Sequence, residues 1–230
     1  MSTTTTSNII SPKIGEGIFL VKDVATILNL DYDKVRRWIL GYWDGHLAEG
    51  LNYTFGEKKG KAINFYSLIE FYTFFKLREK GIGAAKIKAL HKSLSERLNT
   101  PYPFAQAKDF YIEDREYKKF VFMEIDNGFW KYDKRDKIYL SFINDNFLEK
   151  IQFDDNNLAI KFFPIGRDKN VVVDPPRQFG QPIVLGTNIK VETLYNLHKG
   201  GESDENICTL YNLSEDKVKD ALSFYLNEAA

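Results

Sequence analysis

The chain has 230 residues, 43% hydrophobic and 28% charged, with 32 Lys+Arg balanced by 32 Asp+Glu. These values exclude a disordered or fibrous chain and leave room for one large domain or two to three small ones. No apolar run nears the roughly 20 residues of a membrane-spanning helix, the Thr/Ser-rich start lacks the pattern of a secretory signal, and one cysteine excludes an internal disulfide.

A cytoplasmic protein without membrane contact is therefore expected. Its zero net charge is uneven along the chain. Residues 1–99 hold 15 Lys/Arg against 10 Asp/Glu, residues 100–170 hold 12 against 13, and residues 171–230 hold 5 against 9. A basic part and an acidic part point to two different partners.

Residues 1–17 have no hydrophobic period and read as a flexible tail with a lead-in loop. Val21, Val24, Ala25 and Leu28 then recur at helical spacing until Asn29-Leu30-Asp31 breaks the pattern. Asp31 can cap a second helix, in which Val35, Trp38, Ile39 and Tyr42 line one face. Asp33, Arg36 and Arg37 take the other, with Lys34 on the flank. Two β-prone runs, Tyr53-Thr54-Phe55 and Ala62-Ile63-Asn64-Phe65, enclose a tip carrying Lys58, Lys59 and Lys61 and predict a basic hairpin. An apolar helix is expected over 66–80, stopped by Gly81, and an amphipathic one over 84–98, stopped by Asn99-Thr100-Pro101.

From 104 to about 173 aromatic and charged residues alternate, as in 118–125 and 137–142. They predict antiparallel strands with turns at Asp126-Asn127-Gly128 and at 154–157. Pro175-Pro176 with Gly180, Pro182 and Gly186 marks a turn-rich linker, and Ile183-Val184 can pair with the run from Ile189 to Val191 as a small hairpin. Helices are expected over 192–199, 203–211 and 214–227, the last two opened by serine caps. No repeat, low-complexity tract or heptad seam stands out. The fold class expected is α+β. Its parts are a tail (1–17), a winged helix-turn-helix (18–100), a β-rich middle (101–170) and a small helix-turn-helix-like helical domain that serves dimerisation (171–230).

A short second helix with two arginines on its solvent side suits the major groove of double-stranded DNA, and a basic hairpin after it suits phosphate. The expected DNA-binding residues are Lys22, Tyr32, Lys34, Arg36, Arg37, Lys58, Lys59 and Lys61. The last two helices instead carry Glu202, Asp204, Glu205, Glu215, Asp216 and Asp220, which phosphate would repel. They fit a homodimer interface or a protein partner.

Enzymatic chemistry is not expected. His46, His91 and His198 are isolated, there is no metal-ligand spacing, phosphate loop or Gly-x-Ser-x-Gly elbow, and Asp114/Glu116 and Asp154/Asp155 fall at turns. No cofactor is implied. Cys208 reads as a small core residue. Phe120, Phe122, Phe129, Trp130 and Tyr139 read as packed core or, alternatively, as walls of a ligand pocket.

Two resemblances add to this. Phe19-Leu20-Val21-Lys22-Asp23-Val24-Ala25 with Val35-Arg36-Arg37-Trp38, then Ile63-Asn64-Phe65-Tyr66-Ser67-Leu68-Ile69-Glu70 and Leu77-Arg78-Glu79-Lys80-Gly81-Ile82, resembles a MerR-like winged helix over about 80 residues. Val172-Val173-Asp174-Pro175 and Gly180-Gln181-Pro182-Ile183-Val184-Leu185-Gly186-Thr187, with the helices after it, resembles the C-terminal domain of VapB-like antitoxins of VapBC pairs. Asn188 stands where that pattern usually has Arg. The resemblance implies a repressor of its own operon that binds a PIN-type ribonuclease toxin. The rival readings are a protein-interaction module without DNA binding and a MerR-type ligand sensor.

Overall fold

The computed structural model describes residues 8–9, 13–43, 51–57, 60–106, 110–115, 118–125, 128–131 and 148–226. Within the segment read as a tail, β1 (Asn8–Ile9) pairs in parallel with β3 (Leu51–Asn52). β2 (Phe19–Leu20) runs straight into α1 (Val21–Leu28), which buries Val21, Val24, Ala25 and Ile27. The Asp23 carboxylate accepts from the Leu20 backbone N–H at 2.8 Å, satisfying one of the donors a helix start leaves over.

α1 ends at Asn29, which is left-handed (φ 49°), and the Leu30 N–H closes the turn on the Ala25 carbonyl at 2.9 Å. Asp31 then caps α2 (Tyr32–Arg37) as its pattern predicts, accepting from Lys34 N at 2.8 Å. α2 continues into a wider π turn, Trp38–Tyr42. Val35, Ile39 and Trp43 face inward and are fully buried.

β4 (Thr54–Phe55) and β5 (Ala62–Ile63) form the expected hairpin, and β5 pairs on its other edge with β2. The second strand stops earlier than its β-prone run predicts. The Asn64 side chain accepts from Ser67 N at 2.9 Å, so Phe65 opens a helix instead of ending a strand. That helix, α3 (Phe65–Glu79), buries every residue from Ser67 to Phe75 and is the central element of this half. α4 (Ala84–Leu98) follows, closed by a left-handed Asn99.

Both tryptophans of the α2 region reach α3. Trp38 lies 4.6 Å from Phe74 between ring centroids, and Trp43 lies 4.0 Å from Phe71. Aromatic packing thus fixes the helix pair against its base.

In the middle region β6 (Phe110–Arg115), β7 (Lys118–Ile125) and β8 (Gly128–Lys131) form an antiparallel sheet, as the alternation predicts. The 137–142 run, with Tyr139, lies outside the described residues, as do the side chains of Phe120, Phe122, Phe129 and Trp130. β9 (Ile151–Phe153) and β10 (Ala159–Phe162) make a hairpin whose turn is held by Asp154 Oδ1, accepting from Asn156 N and Leu158 N at 2.9 and 2.8 Å.

The expected pairing of Ile183–Val184 with the run from Ile189 is present as one antiparallel bridge, Ile183–Lys190, with Val184 N donating to the Ile189 carbonyl and Val191 N to the Pro182 carbonyl, both at 2.9 Å. On its other edge β12 (Ile183–Val184) also pairs with β11 (Val171–Val172), a partner not expected, and Val191 begins a helix. The linker is therefore the loop of a hairpin. α5 (Val191–Lys199), α6 (Asp204–Tyr211) and α7 (Glu215–Leu226) follow. The described residues form a mixed α+β structure with small sheets, and one apolar cluster contains both Phe19 and Phe224.

A repeat that the sequence reading missed appears in these last helices. From Ala25 to Ile39 and from Cys208 to Leu222, six of 15 positions are identical: Thr26/Thr209, Asn29/Asn212, Leu30/Leu213, Asp33/Asp216, Lys34/Lys217 and Val35/Val218. The geometry matches as well. Asn212 is left-handed (φ 51°), Leu213 N closes on the Cys208 carbonyl at 3.0 Å, and Val218 is as fully buried as Val35. The identities cluster around a turn, too short a stretch to register as a period.

Candidate nucleic-acid interface

The helix pair α1–α2 presents its polar side to solvent because its apolar positions are consumed by α3. Arg36 and Arg37 are exposed, and Tyr32, one turn before Arg36, is 50% exposed. Arg37 Nε donates to the Asp33 carbonyl at 3.4 Å, which steadies its root on the helix. Lys22 is exposed in the first turn of α1.

Two expected contacts sit differently. Lys34 is exposed, and its ammonium lies 4.8 Å from the centre of the Phe75 ring, a cation–π contact that gives it a partner within the protein. Lys61 is half-buried at the start of β5. Lys58 and Lys59 lie outside the described residues. Arg36, Arg37 and Tyr32 are thus brought together on one helix, with Lys22 on its neighbour.

His91 and His198 are less isolated in space than in sequence; His46 lies outside the described residues. His198 Nδ1 lies 3.0 Å from Asp204 Oδ1 at the surface. His91 Nε2 lies 3.0 Å from Glu70 Oε2 with both side chains buried. Glu70 Oε1 also accepts from Ala105 N at 2.9 Å, and the Tyr53 hydroxyl donates to the Pro101 carbonyl at 2.6 Å beside them. Burial pushes the Glu70 carboxyl above the usual range, opposed by its bonds to His91 and to the Ala105 and Phe104 backbone. The sequence did hold a signal for this pair: Glu70 interrupts an otherwise apolar helix.

The acidic set also divides. Glu202, Glu205, Glu215 and Asp216 are exposed, whereas Asp220 accepts from Asn170 N and Asn170 Nδ2 at 3.0 and 2.8 Å and from Lys169 at 3.2 Å. Asp220 thus fastens α7 to the loop before β11 and is not part of a free acidic face. Cys208 is partly buried against the core. Among the described residues no group of three or more His, Cys, Asp and Glu could hold a metal ion.

The C-terminal hairpin loop reaches the base of α1. Ile18 N donates to the Phe179 carbonyl at 2.9 Å, and Gln181 Nε2 donates to Asp23 Oδ2 at 3.2 Å. Gly180 lies against Phe19 so closely that a Cβ there would come 2.5 Å from the ring. The preceding Gln178 and Phe179 are both left-handed (φ 48° and 56°).

No helix among the described residues is long and apolar enough to cross a membrane. Residues 171–225 match the family described as "Protein of unknown function (DUF433)". The chain is 33% identical over 81 residues to a Mycobacterium tuberculosis (strain ATCC 25618 / H37Rv) protein named "Putative antitoxin VapB45". That match covers 35% of this chain and 34% of the relative, so the chain spans about a third of the relative's length. The crystal structure of Rv2018 from Mycobacterium tuberculosis has a similar fold, with a TM-score of 0.62 at 17% identity over 89% of this chain and 96% of that one. Partial likeness to an antitoxin, carried on a fold shared with Rv2018, is what the comparisons give.

Proposed function

We propose that the chain is a DNA-binding transcriptional regulator, the antitoxin of a type II toxin–antitoxin operon, which represses its own promoter and binds a PIN-type ribonuclease toxin. In this reading 18–100 is a MerR-like winged helix-turn-helix. α2 enters the major groove, Arg36 and Arg37 meet base edges or phosphate, and the β4–β5 hairpin acts as the wing. Lys22 and Tyr32 flank the helix, and Lys58, Lys59 and Lys61 serve the wing. The middle region, 101–170, connects it to a helical part, 171–230, that serves dimerisation, giving a cytoplasmic homodimer that reads two half-sites without catalysing a reaction.

What supports DNA contact is the exposed Arg36–Arg37 pair on a capped helix whose inner face is locked to α3. What supports the antitoxin role is the similarity to the protein named for one. The test is titration of the DNA upstream of the gene against salt, for the wild type and for Arg36→Ala/Arg37→Ala. Tight, salt-sensitive binding lost in the variant is expected. Absence of binding at low salt would overturn the regulator and leave a protein-interaction module.

A further inference from the structure

One face of α6 is unpartnered. Glu205, Asn206, Thr209 and Leu210, which share a side of the helix, are all exposed, and Leu210 is 68% exposed. The repeat supplies a reference for that position. Leu210 corresponds to Ile27 of α1, which follows the same turn and cap geometry yet is only 2% exposed and belongs to the main core. The motif does not require an exposed residue there. In the first pair the position is covered, and in the second it faces solvent.

Charge narrows what could cover it. Glu205 lies in the first turn of α6 and Glu202 just before its cap, both exposed, Asp216 is exposed at the start of α7, and α6 carries no Lys or Arg; Glu215 beside it is already paired with Lys219 at 2.6 Å. Nucleic acid would be repelled. A second copy using the same face would set acid against acid.

We propose that this face docks an amphipathic helix of another protein, with a large apolar side chain seated on Leu210 and Lys or Arg side chains answering Glu202 and Glu205. The surface is separate from Arg36 and Arg37, and the inference holds whether or not the chain binds DNA or neutralises a toxin.

The probe is a fluorescein-labelled helical peptide with a Leu/Phe stripe flanked by lysines, read by anisotropy against the full chain at two salt concentrations. Its partner peptide has glutamates in place of the lysines. The lysine peptide is expected to bind and to weaken with salt, and Leu210→Asp and Glu202→Lys/Glu205→Lys are each expected to weaken it at least tenfold. Leu210 is exposed, so thermal unfolding of Leu210→Asp should stay close to the wild type; the charge reversal, which removes the Asn206–Glu202 bond and a first-turn acid, should lower the melting temperature slightly while leaving the chain folded. No binding, equal affinity for the glutamate peptide, or binding unchanged in both variants would overturn the proposal. So would a dimer in sedimentation that Leu210→Asp dissolves, since that outcome assigns the face to a second copy.

Discussion

Glu70 and His91 meet 3.0 Å apart in the interior, one from α3 and one from α4, with both side chains buried. Such a pair joins the two helices at a point where either partner alone would be an uncompensated polar group. His91→Ala should therefore destabilise the protein by about 3–5 kcal/mol in denaturant unfolding. A loss below about 1 kcal/mol, within the range of ordinary surface changes, would show that the pair contributes nothing special.

The same pair predicts a pH dependence. Burial raises the Glu70 carboxyl in the folded state, so the folded protein holds this proton more tightly than the unfolded chain does. The resulting stability is fully present below the unfolded value, about 4.3, and is lost as pH rises through the folded one. Glu70→Gln lacks the titration, so the wild type should lose stability relative to it as pH rises from about 4.3 toward neutrality. Parallel profiles of melting temperature against pH would rule the linkage out.

Arg36→Ala/Arg37→Ala should leave stability within about 0.5 kcal/mol, because both side chains are exposed. If both arginines meet phosphate, the slope of log affinity against log salt should fall by about 2. An unchanged slope would place the DNA contact elsewhere.

Trp43→Ala should cost about 3–5 kcal/mol, since the ring is fully buried and packs on Phe71 and Tyr53. Chemical denaturation followed by far-UV circular dichroism would measure it, and a cost below about 1 kcal/mol would mean that the site collapses around the loss.

Asn29→Ala and Asn212→Ala should each cost roughly 1 kcal/mol, because an alanine pays a steric penalty in the left-handed region that asparagine offsets with its own polar contacts. Matching values at the two sites would be the thermodynamic counterpart of the repeat.

Much of the helical structure is legible in the sequence because its signals are local. Asp31 predicts its cap, Asn29 its turn, and Val35 and Ile39 their inward face. The errors arise where a distant or competing contact decides. Ile183–Val184 bridges to the nearby run from Ile189, as local pattern predicts, but its second partner, Val171–Val172, lies across a ten-residue loop that no local signal spans. Asn64 and Phe65 read as strand until the cap on Ser67 is seen. Glu70 and His91 are polar residues whose relation exists only once α3 and α4 pack. Of the candidate interface, the exposed arginines are legible, while the contact of Lys34 with Phe75 depends on a ring far along the chain.

The wedge of Gly180 against Phe19 sets an order of assembly. β2, in the basic half, is completed by a loop more than 150 residues later, so on the ribosome it emerges long before its cover exists. Until Gly180 has been synthesised, Phe19 and the root of α1 lack part of their final packing. The helix that carries Lys22 therefore reaches its finished setting only when the acidic end of the chain has folded onto it.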